Sequence, residues 1–232
     1  MKKLILSVIM IATMNAYLFA GGNIENEEIL LNDESAIVKN VGFYIGGAYS
    51  ISKYANDYLW NDPVNNEYNG KGIDEVKYDS VMLQTGYQFN KYVSIEGRYW
   101  KSVGHNNDTW SENWEDGLGN HLYDSGSQNG GDALEAWGIY LKPMYPVTMT
   151  FTIYGLLGYG KTTLSDDDET NWFNENDFQW GVGASYEFIE NFYFFVDYVK
   201  LHDGTYQIQD TTYSEKDDES IEMVNIGFSY RF

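Results

Sequence analysis

Val224, Ile226, Phe228, Tyr230 and Phe232 alternate with Asn225, Gly227, Ser229 and Arg231. A period of two is the pattern of a strand with one apolar face. The same alternation recurs along the chain and predicts eight strands. They start at Gly42 and then cover about 76–89, 92–101, 133–144, 147–161, 177–189, 191–202 and 220–232. Most are long enough for a tilted strand of ~9–11 residues to cross a hydrocarbon layer.

The connections alternate in length. Phe89–Tyr92, Met144–Val147 and Ile189–Phe192 are tight turns, whereas 53–75, 102–132, 162–176 and 203–219 are long. Short turns at one end and long loops at the other, with an even strand number, fit an outer-membrane barrel with extracellular loops and both termini periplasmic. The fold expected is therefore all-β: an eight-stranded antiparallel transmembrane up-and-down β-barrel over 41–232.

The polar faces decide between this and a soluble barrel of lipocalin type. Ser94, Glu96, Arg98 and Trp100 oppose Val93, Ile95, Gly97 and Tyr99, and Gly181, Gly183, Ser185 and Glu187 oppose Trp180, Val182, Ala184 and Tyr186. Small residues with sparse charges suit the narrow interior of an eight-stranded barrel better than a solvated surface. By parity Glu96, Glu187 and Asp197 share that interior with Arg98, Lys142 and Arg231. Three acids and three bases in a confined lumen are expected to pair, because an unpaired buried charge is costly. Phe43, Phe89, Tyr92, Tyr145, Phe188, Phe192 and Phe232 collect at the short-turn end, as aromatic side chains do at headgroup level.

Met1-Lys2-Lys3 followed by an apolar run from Leu4 to Ala20 is the pattern of a cleaved export signal over 1–20, and 21–40 reads as an acidic periplasmic segment. Cysteine is absent, so a closed hydrogen-bonded sheet must do the work of disulfides. The formal charge of −21 argues against a nucleic-acid partner, which requires clustered Lys and Arg.

The start FYIGGAYS, the stretch YGLLGYGK at 154–161 and the terminal IGFSYRF resemble the outer-membrane β-barrel domain family: small porin-like proteins, the OmpA-type membrane domain and opacity-type surface proteins. The resemblance implies a Gram-negative outer membrane, with its lipids and lipopolysaccharide as surroundings. It also implies that Phe232, with Tyr230 and Phe228, belongs to the signal read by the barrel assembly machinery. It carries no cell-wall anchoring over to this chain.

Sites for chemistry are sparse. Neither His105, followed by Asn106-Asn107, nor His202, followed by Asp203-Gly204, has the His-x-Ser arrangement of outer-membrane lipid A deacylases, and His121 lies in a polar loop with Asp124 and Ser125. No enzyme and no cofactor are expected. Asp166, Asp167 and Asp168, and Asp217 and Asp218, are weak candidates for divalent ions, since acidic runs are usually solvated loops. Trp110, Trp114 and Tyr123 in the longest loop are candidates for a surface ligand. The function expected is structural or surface-interacting, with a lumen closed by paired charges. The alternatives are a small channel through that lumen and, remotely, a lipid-modifying enzyme.

Overall fold

The computed structural model describes residues 41–65, 67–104, 106–166, 170–210 and 213–232. The export signal, the segment 21–40, His105, Asp167 and Asp168 lie outside the described residues.

Ten strands run in chain order: β1 (Gly42–Asp62), β2 (Glu67–Asn90), β3 (Val93–Ser102), β4 (Asn106–Glu115), β5 (His121–Gly130), β6 (Ala133–Pro146), β7 (Phe151–Ser165), β8 (Asn171–Ile189), β9 (Phe192–Gln209) and β10 (Ser214–Arg231). All pairings are antiparallel. The sheet order β1-β10-β9-β8-β7-β6-β3-β2, closed by β1 against β2, makes a ring of eight strands. Phe232 N–H donates to Phe43 O at 2.9 Å, so the last residue is bonded to the first strand.

β4 and β5 prolong two of the ring strands. β2 pairs with β3 from Ser80↔Ser102 and with β4 from Lys77↔Asn107, so β3 and β4 are one path along β2 interrupted by a bulge. The pair Lys101↔Glu135 of β3 and β6 and the pair Asn106↔Gly130 of β4 and β5 lie in one unbroken register. The barrel wall thus continues far beyond its middle at the end away from Phe232.

This corrects the expectation of four long loops. β1 runs on to Asp62 and β2 starts at Glu67, and a two-stranded hairpin fills most of 102–132. β7 extends to Ser165, β8 starts at Asn171, β9 reaches Gln209 and β10 starts at Ser214. The connections themselves are a few residues each. The alternation signal fails there because acids and aromatic residues share the inner face and only scattered apolar residues such as Leu59 and Ile73 stand on the outer one. A smaller correction concerns β7, which begins at Phe151 because 147–150 form the turn.

Parity sorts the side chains. Outward positions along the middle of the wall are apolar and exposed: Leu83 65%, Ile139 57%, Val182 56% and Phe228 57%. A wall with its apolar side outward requires a lipid surrounding, since exposed apolar area on this scale is unfavourable in water. On seven of the eight strands the belt ends abruptly. One outward position beyond Ile51, Val81, Tyr99, Trp137, Tyr159, Tyr198 and Val224 stand Lys53, Asp79, Lys101, Glu135, Lys161, Lys200 and Glu222. At the other rim the seven aromatic residues named above are all exposed. The Phe192 and Tyr230 rings are 4.6 Å apart and tilted, and Tyr230 meets Phe232 edge-on at 5.1 Å.

Two edges are open beyond the charged rim. β8 and β9 pair only from Trp180↔Lys200 to Ile189↔Phe192, although both continue further. β5 ends the sheet order and, among the described residues, pairs only with β4.

Candidate functional site

The inward face holds one continuous hydrogen-bonded cluster. Arg98, on β3, donates from both terminal nitrogens to Asp197 of β9, at 3.0 and 2.8 Å. β3 and β9 stand four places apart in the ring of eight, so this bidentate pair spans the lumen from wall to wall. Arg98 Nε donates to Glu96 Oε1 at 2.5 Å. Lys142 Nζ, from β6, reaches Glu96 Oε2 at 2.8 Å, and the Tyr44 hydroxyl of β1 donates to the same oxygen at 2.5 Å. Two acids and two bases are thereby neutralised, with Glu96 1%, Arg98 3% and Asp197 3% exposed.

The remaining lone pairs are also used. Asp197 accepts from the Tyr154 hydroxyl at 2.8 Å and from Asn225 Nδ2 at 2.7 Å. Asn225 Oδ1 in turn accepts from Trp100 Nε1 at 2.9 Å and from Ser50 Oγ at 2.5 Å. Lys142 Nζ lies 4.0 Å over the Tyr154 ring. Such second partners are what make a buried charge pair tolerable, because Coulomb attraction alone does not repay desolvation. Gly183 creates the space: a methyl there would stand 2.4 Å from Asp197 Cβ and 2.7 Å from the Tyr154 ring.

The other two charges expected in the lumen sit nearer the terminal rim. Arg231 donates to Gln88 Oε1 at 3.1 Å and lies 4.9 Å over the Tyr193 ring. Glu187 accepts from the Asn191 backbone at 2.9 Å. Thus Glu96, Arg98, Lys142 and Asp197 come together, and Glu187 and Arg231 form a separate group.

Sequence reasoning missed the layer above the cluster. Leu134, Leu164, Val199, Leu201, Ile221 and Met223 point inward and are at most 1% exposed, where mainly Gly, Ser and Ala were expected. Together with Trp100 and Met82 they form one buried apolar cluster on the side away from Phe232. The readable signal was an inward Trp or Tyr on a polar face, as at Trp100 and Tyr140, which asks for neighbours of its own kind.

Beyond the rim the inner face is acidic and aromatic. The Tyr58 hydroxyl donates to Glu112 Oε1 at 2.6 Å and to Asp74 Oδ1 at 3.5 Å, and Tyr54 donates to Glu219 at 3.0 Å. Burial, and then the nearby Glu112 charge, raises the Asp74 carboxyl above the ordinary carboxylate value. Asp217 is raised by burial and by Glu215, Glu219 and Asp218.

The remaining candidates separate. Asp217 and Asp218 are successive strand residues on opposite faces, and Asp218 is held by Lys216 and Thr205. Asp166 stands at the turn between β7 and β8 and accepts from Thr170 N–H at 2.8 Å. Among the described residues no three His, Cys, Asp or Glu side chains converge as a metal centre. Trp110 lies over Gly126 across the β4–β5 hairpin, with Trp114 on the same face of β4; Tyr123 points the other way and is 68% exposed. His202 Nδ1 faces Asp177 at 3.0 Å, and its ring lies edge-on to Phe173.

A family model described as outer membrane protein beta-barrel domain matches residues 34–232. The chain belongs to that family of outer-membrane β-barrels. OprG from Pseudomonas aeruginosa is similar in fold, with 17% identity over 83% of this chain and 97% of that one, at a TM-score of 0.53. Two other solved barrels align less well. One is Ail of Yersinia pestis, in complex with the heparin analogue sucrose octasulfate, with 14% identity over 80% and 99% of the two chains and a TM-score of 0.36. The other is the Escherichia coli outer membrane protease OmpT, with 11% identity over 82% and 97% and a TM-score of 0.40. No curated protein sequence matches.

Proposed function

We propose that this barrel is a closed, non-enzymatic surface protein that presents its extended far end to the outside and conducts nothing through its lumen. The Arg98–Asp197 pair carries the reading, because it joins opposite walls of the ring and every charge beside it is partnered. The apolar layer of Leu134, Leu164, Leu201, Ile221 and Met223 supports it a second time, since such a layer offers a hydrated ion no ligands.

In this reading the termini and short turns are periplasmic, the extended strands are extracellular, and lipopolysaccharide surrounds the charged rim. The barrel assembly machinery reads Phe232 with Tyr230 and Phe228. Binding falls to the far end. There β5 offers an edge that no other described strand pairs with, with Leu122 and Tyr123 exposed, and its sequence HLYDSGSQNG contains neither Lys nor Pro, the residues that usually blunt an edge. An extended segment of a surface ligand adds to such an edge through backbone hydrogen bonds. Replacing Ser125 and Ser127 by Pro blocks that edge. Loss of ligand capture with the barrel still folded supports the assignment, and unchanged capture refutes it.

A further inference from the structure

The two breaks in the wall, between β3 and β4 and between β5 and β6, lie side by side. Asn106, the first β4 residue after one break, is 2% exposed, and its Oδ1 has no hydrogen-bond partner. Its Nδ2 donates to Asp108 Oδ1 at 2.7 Å. Across the Asn106↔Gly130 pair, the side chains of Asn106 and Asp108 crowd the open face of Gly130: a methyl there would lie 2.8 Å from Asn106 Oδ1, 3.0 Å from Asn106 Nδ2 and 3.2 Å from Asp108 Oδ2. On the other flank, one residue beyond the Lys77↔Asn107 pair, stands Tyr78. It is 2% exposed and its hydroxyl is also without a partner. Asp132 occupies the second break.

The electrostatics agree with this geometry. Burial, and then the charges of Asp132 and Asp108, raise the Tyr78 hydroxyl well above its ordinary value. Burial also raises the Asp108 carboxyl, whose bonds come from the neutral amides of Gln128 and Asn106. The pocket therefore gathers oxygen atoms, two of them buried and without a hydrogen-bond partner, with a net negative charge. A buried acceptor left without a donor is unfavourable. A cation satisfies all of these oxygens at once, whereas a single donor group satisfies one or two.

We propose that this pocket binds a hard divalent cation, calcium foremost, through the Asn106 amide oxygen and the carboxylates of Asp108 and Asp132, with the Tyr78 hydroxyl as a neutral fourth oxygen. Calcium accepts carboxylate, amide and neutral oxygens in irregular geometry, which two carboxylates and two neutral groups on β2, β4 and the β5–β6 link can supply. A side chain at Gly130 would press on Asn106 and Asp108 and displace their oxygens. The bound ion fastens the β4–β5 hairpin to the barrel at the point where both of its strands are interrupted.

The test is calorimetric titration of the full chain, folded in detergent, with calcium chloride alone. One saturable site is expected. Asp108→Asn and Asp132→Asn each weaken it by about 10-fold or more, since affinity follows the charge of the ligand set. Gly130→Val abolishes it. Asp217→Asn and Asp57→Asn, which remove acids elsewhere at the same end, leave it unchanged. Asn106→Asp adds a carboxylate at the unpartnered oxygen and tightens binding, which decides the matter even where a loss variant fails to fold. Absence of saturable binding up to about 10 mM, beyond the ~10⁻⁴–10⁻³ M range of weak calcium modules, overturns the proposal. So does equal weakening in the two control variants, or an Asn106→Asp variant no tighter than the parent.

Discussion

At the scale of single residues, Arg98 holds the lumen together because it bonds Glu96 and Asp197 at once. Its replacement by Ala leaves Asp197 with neutral partners only and Glu96 with Lys142 and the Tyr44 hydroxyl. Removing one member of a buried pair costs ~3–5 kcal/mol. Arg98→Ala is therefore expected to lose about that much in urea unfolding followed by tryptophan fluorescence, and Lys142→Met less, because Lys142 is nearer the edge of the cluster at 9% exposed. The presence of charges on the inner face was legible from parity. Their pairing was not, because it depends on which strand stands opposite which, and that follows from closure of the whole ring. The hydrogen-bonding roles of Tyr44, Tyr154 and Asn225 were hidden for the same reason.

The acids of the far end give a pH effect of definite sign. Asp74 and Asp217 have raised carboxyl values in the folded protein. The folded state then binds more protons than the unfolded chain in a window that begins near the ordinary carboxylate value and extends upward, so stability falls as pH rises through it. Amide exchange in 70–76 and 215–219 is expected to slow as the pH is lowered from neutral toward 5. Exchange per unit of intrinsic rate that is unchanged or faster at the lower pH would contradict this.

At the scale of elements, one set of strands meets two environments. Within the belt the alternation is apolar outside and mixed inside, and sequence located those segments well. Beyond Lys53, Asp79, Lys101, Glu135, Lys161, Lys200 and Glu222 water lies outside and acids lie inside, so a strand there carries no apolar periodicity to read. The boundary is testable with outward residues of equal chemistry. Leu83→Arg, in the belt, is expected to cost ~2–4 kcal/mol in lipid, whereas Leu59→Arg and Ile73→Arg, beyond the rim, cost ~0–1 kcal/mol. Equal costs at the three positions would mean that the rim is misplaced. The β4–β5 hairpin adds to the wall without closing it. Its replacement by a short turn joining Ser102 to Ala133 should leave a barrel whose band still shifts on heating in gel electrophoresis.

At the scale of the whole molecule, the claim is that this ring is closed to solutes. The Arg98–Asp197 pair crosses it, the Tyr44, Tyr154 and Asn225 bonds satisfy the same cluster, and the layer around Leu134, Leu164 and Leu201 fills the space beside it. What remains available for recognition is the far end, with its β5 edge and acidic inner face. Single-molecule conductance in planar bilayers tests this most directly. The protein is expected to insert without unitary current steps, and Gly183→Val, which forces Asp197 and Tyr154 apart, to show steps that the parent lacks. Reproducible unitary steps from the unaltered protein would contradict a closed lumen.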